Sequence, residues 1–201
     1  MIRVLIAEDQ GMVRGALSTL LALEDDIDVV AQVGRGDEVM SAARRAQPDV
    51  ALLDIEMPGL DGIAAAAALH DALPQCTILM LTAFGRPGYL RRAMDAGASG
   101  FIVKDGPAEE LAAAIRRAVA GERVIDPVLA VAALTAGPNP LTERERDVLG
   151  AAVDGSTIAT IAARLFLSEG TVRNYLSSAI QKTGARNRIE AVRQAQSNGW
   201  L

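Results

Sequence analysis

Four short apolar runs in the sequence each lead into a polar group that can take part in chemistry. The runs 4–7, 50–53, 78–81 and 101–103 are followed by Glu8 with Asp9, by Asp54, by Thr82 and by Lys104. Runs of this kind predict buried parallel strands, and open α/β sheets bind ligands beyond the carboxyl ends of their strands. We therefore expect three acids, a hydroxyl and an ammonium group to meet at one sheet edge.

Phosphoryl transfer to a carboxylate needs this combination of groups. Crowded carboxylates repel one another, which raises their pKa values, unless a hard cation such as Mg²⁺ takes oxygen ligands from them. Asp54 can then attack a phosphoryl group, while Thr82 hydrogen-bonds and Lys104 pairs with the remaining oxygens. The expected product is an acyl phosphate on Asp54. An Asp or Thr after a strand can instead cap the next helix, but capping does not account for Lys104.

Alternating strand and helix signals position these groups. The first 120 residues repeat the alternation five times, which is typical of a parallel sheet with helices on both faces. The predicted helices span about residues 11–23, 37–46, 61–73, 87–96 and 107–120. We expect an α/β domain with the flavodoxin-like (βα)5 fold and strand order 2-1-3-4-5.

A longer pattern surrounds the polar groups. It comprises Glu8-Asp9, Asp54 with the continuation Met57-Pro58-Gly59-Leu60-Asp61-Gly62, Thr82-Ala83 and Lys104. In order and approximate spacing, the pattern resembles the receiver domain of two-component response regulators over roughly the first 120 residues. The resemblance implies that a sensor histidine kinase phosphorylates Asp54. It also implies that Asp9, Asp54 and the backbone carbonyl of Glu56 bind Mg²⁺, with Glu8 assisting through water.

The same resemblance implies a conformational switch. Thr82 would move toward the phosphoryl group, and Phe101, three residues before Lys104, would turn inward. An aromatic side chain on a strand can equally be a permanent part of the core. His70 is the only histidine and is interpreted as a surface residue, so the phosphoryl donor is expected to be another protein.

Residues 121–138 interrupt the alternation. Glycines and prolines punctuate this stretch, as is typical of a linker, and its composition is compatible with a short helix at residues 128–134. We therefore place a receiver domain at residues 1–120, a linker at 121–138 and a second domain at 139–201.

The second domain has an all-helical pattern. Its predicted helices span about residues 142–155, 157–165, 169–182 and 187–197. Thr142-x-x-Glu145 forms a capping box, Ser168 is the expected N-cap of the third helix, and Gly184 ends that helix. The two central helices are joined by a tight turn, which predicts a helix-turn-helix whose second helix enters the major groove of DNA.

Particular residues make this prediction more specific. They are Leu141-Thr142-x-Arg144-Glu145, Ile158-Ala159 and Leu167-Ser168-x-x-Thr171-Val172-Arg173-Asn174-Tyr175. They resemble the LuxR/NarL-type DNA-binding domain, an all-α four-helix domain, over about residues 139–199. The resemblance implies DNA contacts by Thr171, Arg173, Asn174, Tyr175, Ser177, Arg186 and Arg188. Arginine suits guanine and asparagine suits adenine in the major groove.

Charge also assigns DNA binding to this domain. Residues 1–138 carry 12 basic and 19 acidic side chains, a net charge of −7, whereas residues 139–201 carry 8 and 6, a net charge of +2. Ser177 stands where many relatives have a lysine. Because phosphate contacts dominate binding strength, we expect modest affinity per monomer, a homodimer on activation and a double-stranded operator with paired half-sites.

Composition bounds the remaining expectations. Half of the 201 residues are hydrophobic and Cys76 is the only cysteine, which predicts ordinary cores and no internal disulfide framework. We see no signal peptide and no membrane helix, so we expect a cytoplasmic protein without direct membrane insertion. The last helix is expected to help dimerise the DNA-binding domains through Ile189, Val192 and Ala195. Trp200 either joins that surface or packs on its own domain.

The leading interpretation is a phosphorylation-controlled transcription factor that catalyses only its own phosphotransfer and dephosphorylation. A phosphatase of the haloacid-dehalogenase type also uses an aspartate nucleophile, Mg²⁺ and a lysine, but carries its nucleophile on the first strand and does not explain the second domain. A phosphorylation-independent DNA-binding protein would have lost one of the acids, Thr82 or Lys104, and none is lost. Details such as Glu24-Asp25-Asp26 and Phe84-Gly85-Arg86 resemble a narrower branch of regulators that control membrane-lipid genes.

Overall fold

The structure, a computed structural model, describes residues 1–83, 87–104, 108–135 and 139–201. The chain divides into two compact units, one built mainly from residues 1–130 and the other mainly from residues 131–201. None of the helices within the described ranges combines the length and apolar character that a bilayer crossing requires.

The first unit contains a parallel sheet of six strands in the order β2-β1-β3-β4-β5-β6. The strands are β1 (Ile2–Ala7), β2 (Ile27–Val33), β3 (Val50–Asp54), β4 (Thr77–Thr82), β5 (Gly100–Val103) and β6 (Val124–Ile125). The predicted order of the first five strands is confirmed. β6 is an addition to the predicted (βα)5 pattern, because two residues of the predicted linker pair with Gly100 and Phe101 at the edge of the sheet. A strand of two residues has no alternating pattern that sequence could reveal.

Helices cover both faces of the sheet. They are α1 (Gly11–Leu21), α2 (Gly36–Ala46), α3 (Gly62–Ala72), α4 (Pro87–Asp95) and α5 (Ala108–Val119). On one face, residues of β1, β3 and β4 form a core with Leu21 of α1 and with Leu111 and Ile115 of α5. α2 and α3 pack against each other as well as against the sheet. Strands buried on both faces are uninterrupted apolar runs, which is why the sequence located them.

The second unit is helical, as predicted. After α6 (Pro127–Thr135), its helices are α7 (Glu143–Gly150), α8 (Ile158–Leu165), α9 (Glu169–Thr183) and α10 (Arg188–Ser197). Thr142 and Glu145 form the full capping box of α7, and the side chain of Ser168 accepts a hydrogen bond from the backbone N–H of Thr171. Gly184 ends α9 in the left-handed conformation with φ of 68°. The caps therefore fix the helix-turn-helix boundaries locally.

Two expectations for this unit need correction. α7 ends at Gly150 rather than at Gly155. Residues 151–154 form turns in which backbone hydrogen bonds span three residues, such as that from the N–H of Val153 to the carbonyl of Gly150. In α10, Val192 and Ala195 are buried in the core of their own unit, so Ile189 is the exposed member of the three predicted apolar residues. Trp200 packs against that same core.

Some expectations fall outside the described residues. They are the start of the fifth helix at Pro107 and the Phe84-Gly85-Arg86 segment of the narrower resemblance.

Candidate functional site

Three carboxylates meet at the carboxyl edge of the sheet. One oxygen from each of Glu8, Asp9 and Asp54 lies within 4.8 Å of the others. Parallel pairing explains the convergence, since Ala7 of β1 is in register with Leu53 of β3 and places the residues after each strand side by side. Glu8 is fully buried and Asp54 is 5% exposed, whereas Asp9 is open to solvent.

Lys104 supplies the positive charge at this edge. Its Nζ lies 2.5 Å from Oε2 of Glu8 and 2.9 Å from Oδ1 of Asp54. Its backbone N–H donates to the carbonyl of Thr82 at 2.8 Å, which ties the end of β5 to the end of β4. Burial opposes the charged form of Lys104, but the hydrogen bonds and charges of Glu8 and Asp54 outweigh it and raise its pKa. The ammonium is therefore held in its charged state.

Asp54 is constrained on one oxygen. Oδ1 accepts hydrogen bonds from Lys104 and, at 2.9 Å, from the backbone N–H of Ile55. Burial raises the pKa of Asp54; the Lys104 hydrogen bond lowers it, the nearby charge of Glu8 raises it again, and the net shift is upward. Asp54 is thus a desolvated carboxylate beside a cation, the environment expected for an activated nucleophile.

The remaining predicted receiver residues are near this edge in different ways. Thr82 is the last residue of β4, 4% exposed, and is in register with Val103. Phe101 is 2% exposed on β5, where it is paired with Met80 and Ile125, so its side chain lies in the core. Glu56 is exposed, two residues beyond Asp54.

The donor set fits a hard divalent cation. All three side chains offer carboxylate oxygens, which are the ligands that Mg²⁺ prefers. Oε2 of Glu8 is buried against Nζ of Lys104, and no other group among the described residues donates to it. Oε2 of Glu8 and the exposed carboxylate of Asp9 can therefore coordinate a cation that enters from solvent.

One residue near this edge was missed from the sequence. Arg14 on α1 donates from Nη1 to the backbone carbonyl of Glu8 at 2.5 Å and so holds the turn that carries Glu8 and Asp9. A Cβ added at Gly34 would lie 3.1 Å from the same Nη1, so glycine at that position leaves room for the guanidinium. The available signal was an arginine five residues after Asp9 on the first helix, which is too common to single out.

The predicted DNA-facing residues lie on and near α9. Arg173, Asn174 and Ser177 are exposed, while Thr171 and Tyr175 are half-buried. Arg173 forms an ion pair with Glu169, one turn earlier, at 2.7 Å. Thr171 takes part in the Ser168 cap, with 2.8 Å between the two hydroxyl oxygens.

The two arginines before and within α10 are both engaged inside the unit. Arg186 forms a salt bridge with Glu190 at 2.9 Å, and Arg188 donates to the backbone carbonyl of Ser156 at 3.0 Å. Arg186 is highly exposed and its pair is a surface pair, so solvent or a phosphate can replace Glu190 at little cost. Arg188 has a structural bond to the turn before α8 that a phosphate contact would have to share or replace.

A parallel sheet whose acidic carboxyl edge holds Lys104, together with a helix-turn-helix unit, defines a two-domain protein that combines a receiver with a DNA-binding unit. Family comparison gives the same class. Residues 4–116 match the response regulator receiver domain, and residues 139–195 match the luxR family of bacterial regulatory proteins. The chain belongs to these families and is a DNA-binding two-component response regulator.

Individual relatives extend over the whole chain. The transcriptional regulatory protein DesR of Bacillus subtilis (strain 168) is 46% identical over 201 residues, which is 100% of both chains. The response regulator RamR of Streptomyces coelicolor (strain ATCC BAA-471 / A3(2) / M145) is 43% identical and aligns with 100% of this chain and 98% of its own. Among solved structures, the response regulator ChrA of a heme-sensing two-component system is 32% identical, with a TM-score of 0.59 and coverage of 100% and 98%.

Proposed function

We propose that this chain is a phosphorylation-controlled transcription regulator whose phosphoacceptor is Asp54. The observation that carries the proposal is the convergence of Glu8, Asp9 and Asp54 with Lys104 at one sheet edge. Asp54 follows two other strands in sequence, unlike the first-strand nucleophile of a haloacid-dehalogenase phosphatase. The proposed activity is confined to phosphotransfer onto Asp54 and hydrolysis of the product.

In the proposed reaction, Oδ2 of Asp54 attacks the phosphorus of a phosphohistidine on a sensor kinase, since Oδ1 is already held by Lys104 and Ile55. The new bond joins phosphorus to Oδ2 as the phosphorus–nitrogen bond breaks. The leaving imidazole keeps the electron pair and takes a proton from solvent. Lys104 then pairs with a phosphoryl oxygen while its bond to Glu8 keeps it at the site, and the Thr82 hydroxyl donates to another oxygen.

We propose Glu8, Asp9, Asp54 and the backbone carbonyl of Glu56 as the groups that hold Mg²⁺. When bound, the ion neutralises charge on the phosphoryl oxygens during transfer. The chain's own contribution is to hold the three acids together despite their mutual repulsion, through Lys104 and through the Arg14 bond to the Glu8 turn.

The proposed consequence of phosphorylation is a change in dimerisation or domain arrangement. New charge at Asp54 biases a two-state element made of Thr82 and Phe101, whose positions on neighbouring strands support this coupling. We propose that residues 121–138 link a receiver at residues 1–120 to a DNA-binding domain at 139–201. The helix-turn-helix then binds a double-stranded operator with paired half-sites as a homodimer, because a net charge of +2 gives one domain few phosphate contacts.

We propose that the exposed Arg173 and Asn174 on α9 contact the edges of the bases. Arg173 suits guanine and Asn174 suits adenine, and Ser177 faces the groove beside them. Thr171 and Tyr175 lie toward the phosphate backbone, and Arg186 and Arg188 border it. Resemblance to the lipid-controlling branch favours membrane-lipid genes as targets, and the full-length similarity to DesR supports that choice by ancestry alone.

Intact mass after incubation with acetyl phosphate and Mg²⁺ tests the receiver chemistry. One added phosphoryl group is expected in the wild type and in an Asp71→Ala control, which loses an exposed aspartate on α3. No addition is expected in Asp54→Ala or without Mg²⁺. A wild type that shows neither an adduct nor Mg²⁺-dependent release of phosphate contradicts phosphorylation at Asp54.

DNA binding tests the switch. Duplexes enriched from a random library by the phosphorylated wild type are titrated with phosphorylated and unphosphorylated protein, with Asp54→Ala and with Arg173→Ala. Phosphorylation is expected to tighten binding at least tenfold, and Arg173→Ala to weaken it without changing phosphate uptake. Equal DNA affinity of the phosphorylated and unphosphorylated wild type would contradict the proposed switch.

A further inference from the structure

A buried carboxylate joins α7 to the recognition helix α9. Glu145 on α7 is 4% exposed and both of its oxygens are used. Oε2 accepts from the backbone N–H of Thr142 and from Nζ of Lys182, each at 2.7 Å, and Oε1 accepts from the hydroxyl of Ser178 at 2.6 Å. The capping box explains only the first of these bonds. The other two reach a different helix.

The two partners on α9 are one helical turn apart. Ser178 and Lys182 therefore lie on the same side of the helix, and the carboxylate of Glu145 accepts a hydrogen bond from each of them. Burial opposes ionisation of Glu145, but hydrogen bonds from Lys182, Ser178 and Thr142 lower its pKa to about 2. Glu145 is thus a charged acceptor at neutral pH, and hydrogen bonds to a charged group are short and directional.

Apolar burial restrains the rotation of α9 less sharply than a directional hydrogen bond does. Val172, Leu176 and Ala179 bury one side of the helix against the core of the unit, but burial of apolar surface is non-directional. A rotation of about 10° moves a side-chain tip that lies about 6 Å from the helix axis by about 1 Å. Functional contacts need positions held to about 0.5 Å. Base contacts by Arg173 and Asn174 therefore require a directional restraint on the rotation of the helix.

We propose that Glu145 is a positioning residue for DNA recognition, which fixes the rotation of α9 through Ser178 and Lys182 and so sets sequence discrimination. The inference rests on the proposed function in placing Arg173 and Asn174 at base edges. Contacts to phosphate tolerate a small rotation because they are largely electrostatic, whereas contacts to base edges do not. Loss of Glu145 should therefore lower specificity more than it lowers general DNA affinity.

The test compares Glu145→Gln with Glu143→Gln in the full chain treated with acetyl phosphate and Mg²⁺. Glu143 is an exposed acid two residues earlier on α7, so both variants gain the same net charge. The probes are a duplex enriched from a random library by the wild type and a scrambled duplex of equal length and composition. Glu145→Gln is expected to lower the affinity ratio of the two duplexes about tenfold, on the order of one lost base contact. Its salt dependence on the scrambled duplex should match that of Glu143→Gln.

Two further variants keep the result decisive. Ser178→Ala removes only the hydrogen bond to Oε1 of Glu145 and should lower the affinity ratio of the two duplexes by a smaller factor. This variant tests the inference if Glu145→Gln does not fold. Lys182→Arg retains the charged pair and should keep the wild-type ratio. The inference is overturned if a folded Glu145→Gln keeps the wild-type ratio of affinities for the enriched and scrambled duplexes, or if Ser178→Ala keeps it when that variant alone folds. An equal fall of this ratio in Glu143→Gln also overturns the inference. A wild type that enriches no sequence overturns the proposed DNA function itself.

Discussion

Gly62 on α3 lies directly behind the backbone of Asp54. A Cβ added at Gly62 would be 1.8 Å from the carbonyl oxygen of Asp54 and 2.8 Å from its carbonyl carbon. The N–H of Gly62 donates to the carbonyl of Ile55 at 2.9 Å, so the start of α3 is fastened to the end of β3. The absence of a side chain at position 62 therefore helps to determine where the candidate phosphoacceptor sits.

Replacement of Gly62 by alanine should displace Asp54. The clash is with backbone, so the start of α3 or the end of β3 must move, at a cost of about 2 kcal/mol in unfolding free energy. We expect urea to unfold the receiver earlier and phosphate uptake from acetyl phosphate to slow at least tenfold. Gly15→Ala is the control, because its added Cβ meets nothing within 4 Å and an exposed helical alanine should be neutral or stabilising. Wild-type behaviour in Gly62→Ala would show that the close approach is unimportant.

Removal of the Lys104 charge should make the receiver depend on Mg²⁺. Without Lys104, the buried Glu8 and Asp54 face each other uncompensated, and we expect a loss of roughly 3 kcal/mol in Lys104→Met. Mg²⁺ should recover more stability in this variant than in the wild type, since the cation replaces the lost charge. Arg117→Met, which breaks an exposed pair with Glu122, should lose less than about 1 kcal/mol.

Alkylation of Cys76 gives the readout for these receiver variants. Cys76 is the only cysteine, it is buried, and burial raises the pKa of its thiol to about 12. The thiol should therefore react only when the receiver opens. An equal Mg²⁺ effect on the Cys76 reaction rates of wild type and Lys104→Met would contradict the proposed charge replacement.

Glu169→Gln should raise binding to DNA of any sequence. Glu169 stands in the first turn of α9 and pairs with Arg173 at 2.7 Å, with half of each side chain or more in solvent. Its removal frees Arg173 and removes a negative charge that repels phosphates, so we expect three- to tenfold tighter binding to a scrambled duplex at low salt. Glu122→Gln makes the same charge change in the first unit and should have little effect. Weaker binding by Glu169→Gln would mean that Glu169 aligns Arg173 rather than competing with DNA.

Acid should destabilise the second unit through Glu145. The pKa of Glu145 is lowered to about 2 from an ordinary value of 4.5, so its stabilising contribution is complete above pH 4.5 and is lost as the pH falls toward 2. The contribution is at most about 3 kcal/mol. Fluorescence of Trp200, the only tryptophan, which packs against this unit's core, should show the loss during urea unfolding. Glu145→Gln should flatten the pH dependence in that window.

Local signals in the sequence determined much of the fold. The apolar runs that end at Glu8, Asp54, Thr82 and Lys104 identify strands because strands buried on both faces must be continuously apolar. The Ser168 cap and Gly184 mark the ends of α9 because each satisfies a requirement of its own backbone. In contrast, β6 and the true end of α7 carry no strong local signal. They depend on pairing with β5 and on turns after Gly150.

Only the tertiary structure decided which side chains meet. The sequence indicated Glu8, Asp9, Asp54 and Lys104 as a set. Packing of separate elements determined the rest: the two ion pairs of Lys104, the close approach of Gly62 to Asp54 and the Arg14 hydrogen bond to the Glu8 turn. In the second unit, the sequence showed Glu145 as a cap, whereas the fold joins it to Lys182, 37 residues away. The physical reason is that caps and strand runs are satisfied within a few residues, while the partner of a long charged side chain depends on how helices and strands pack in space.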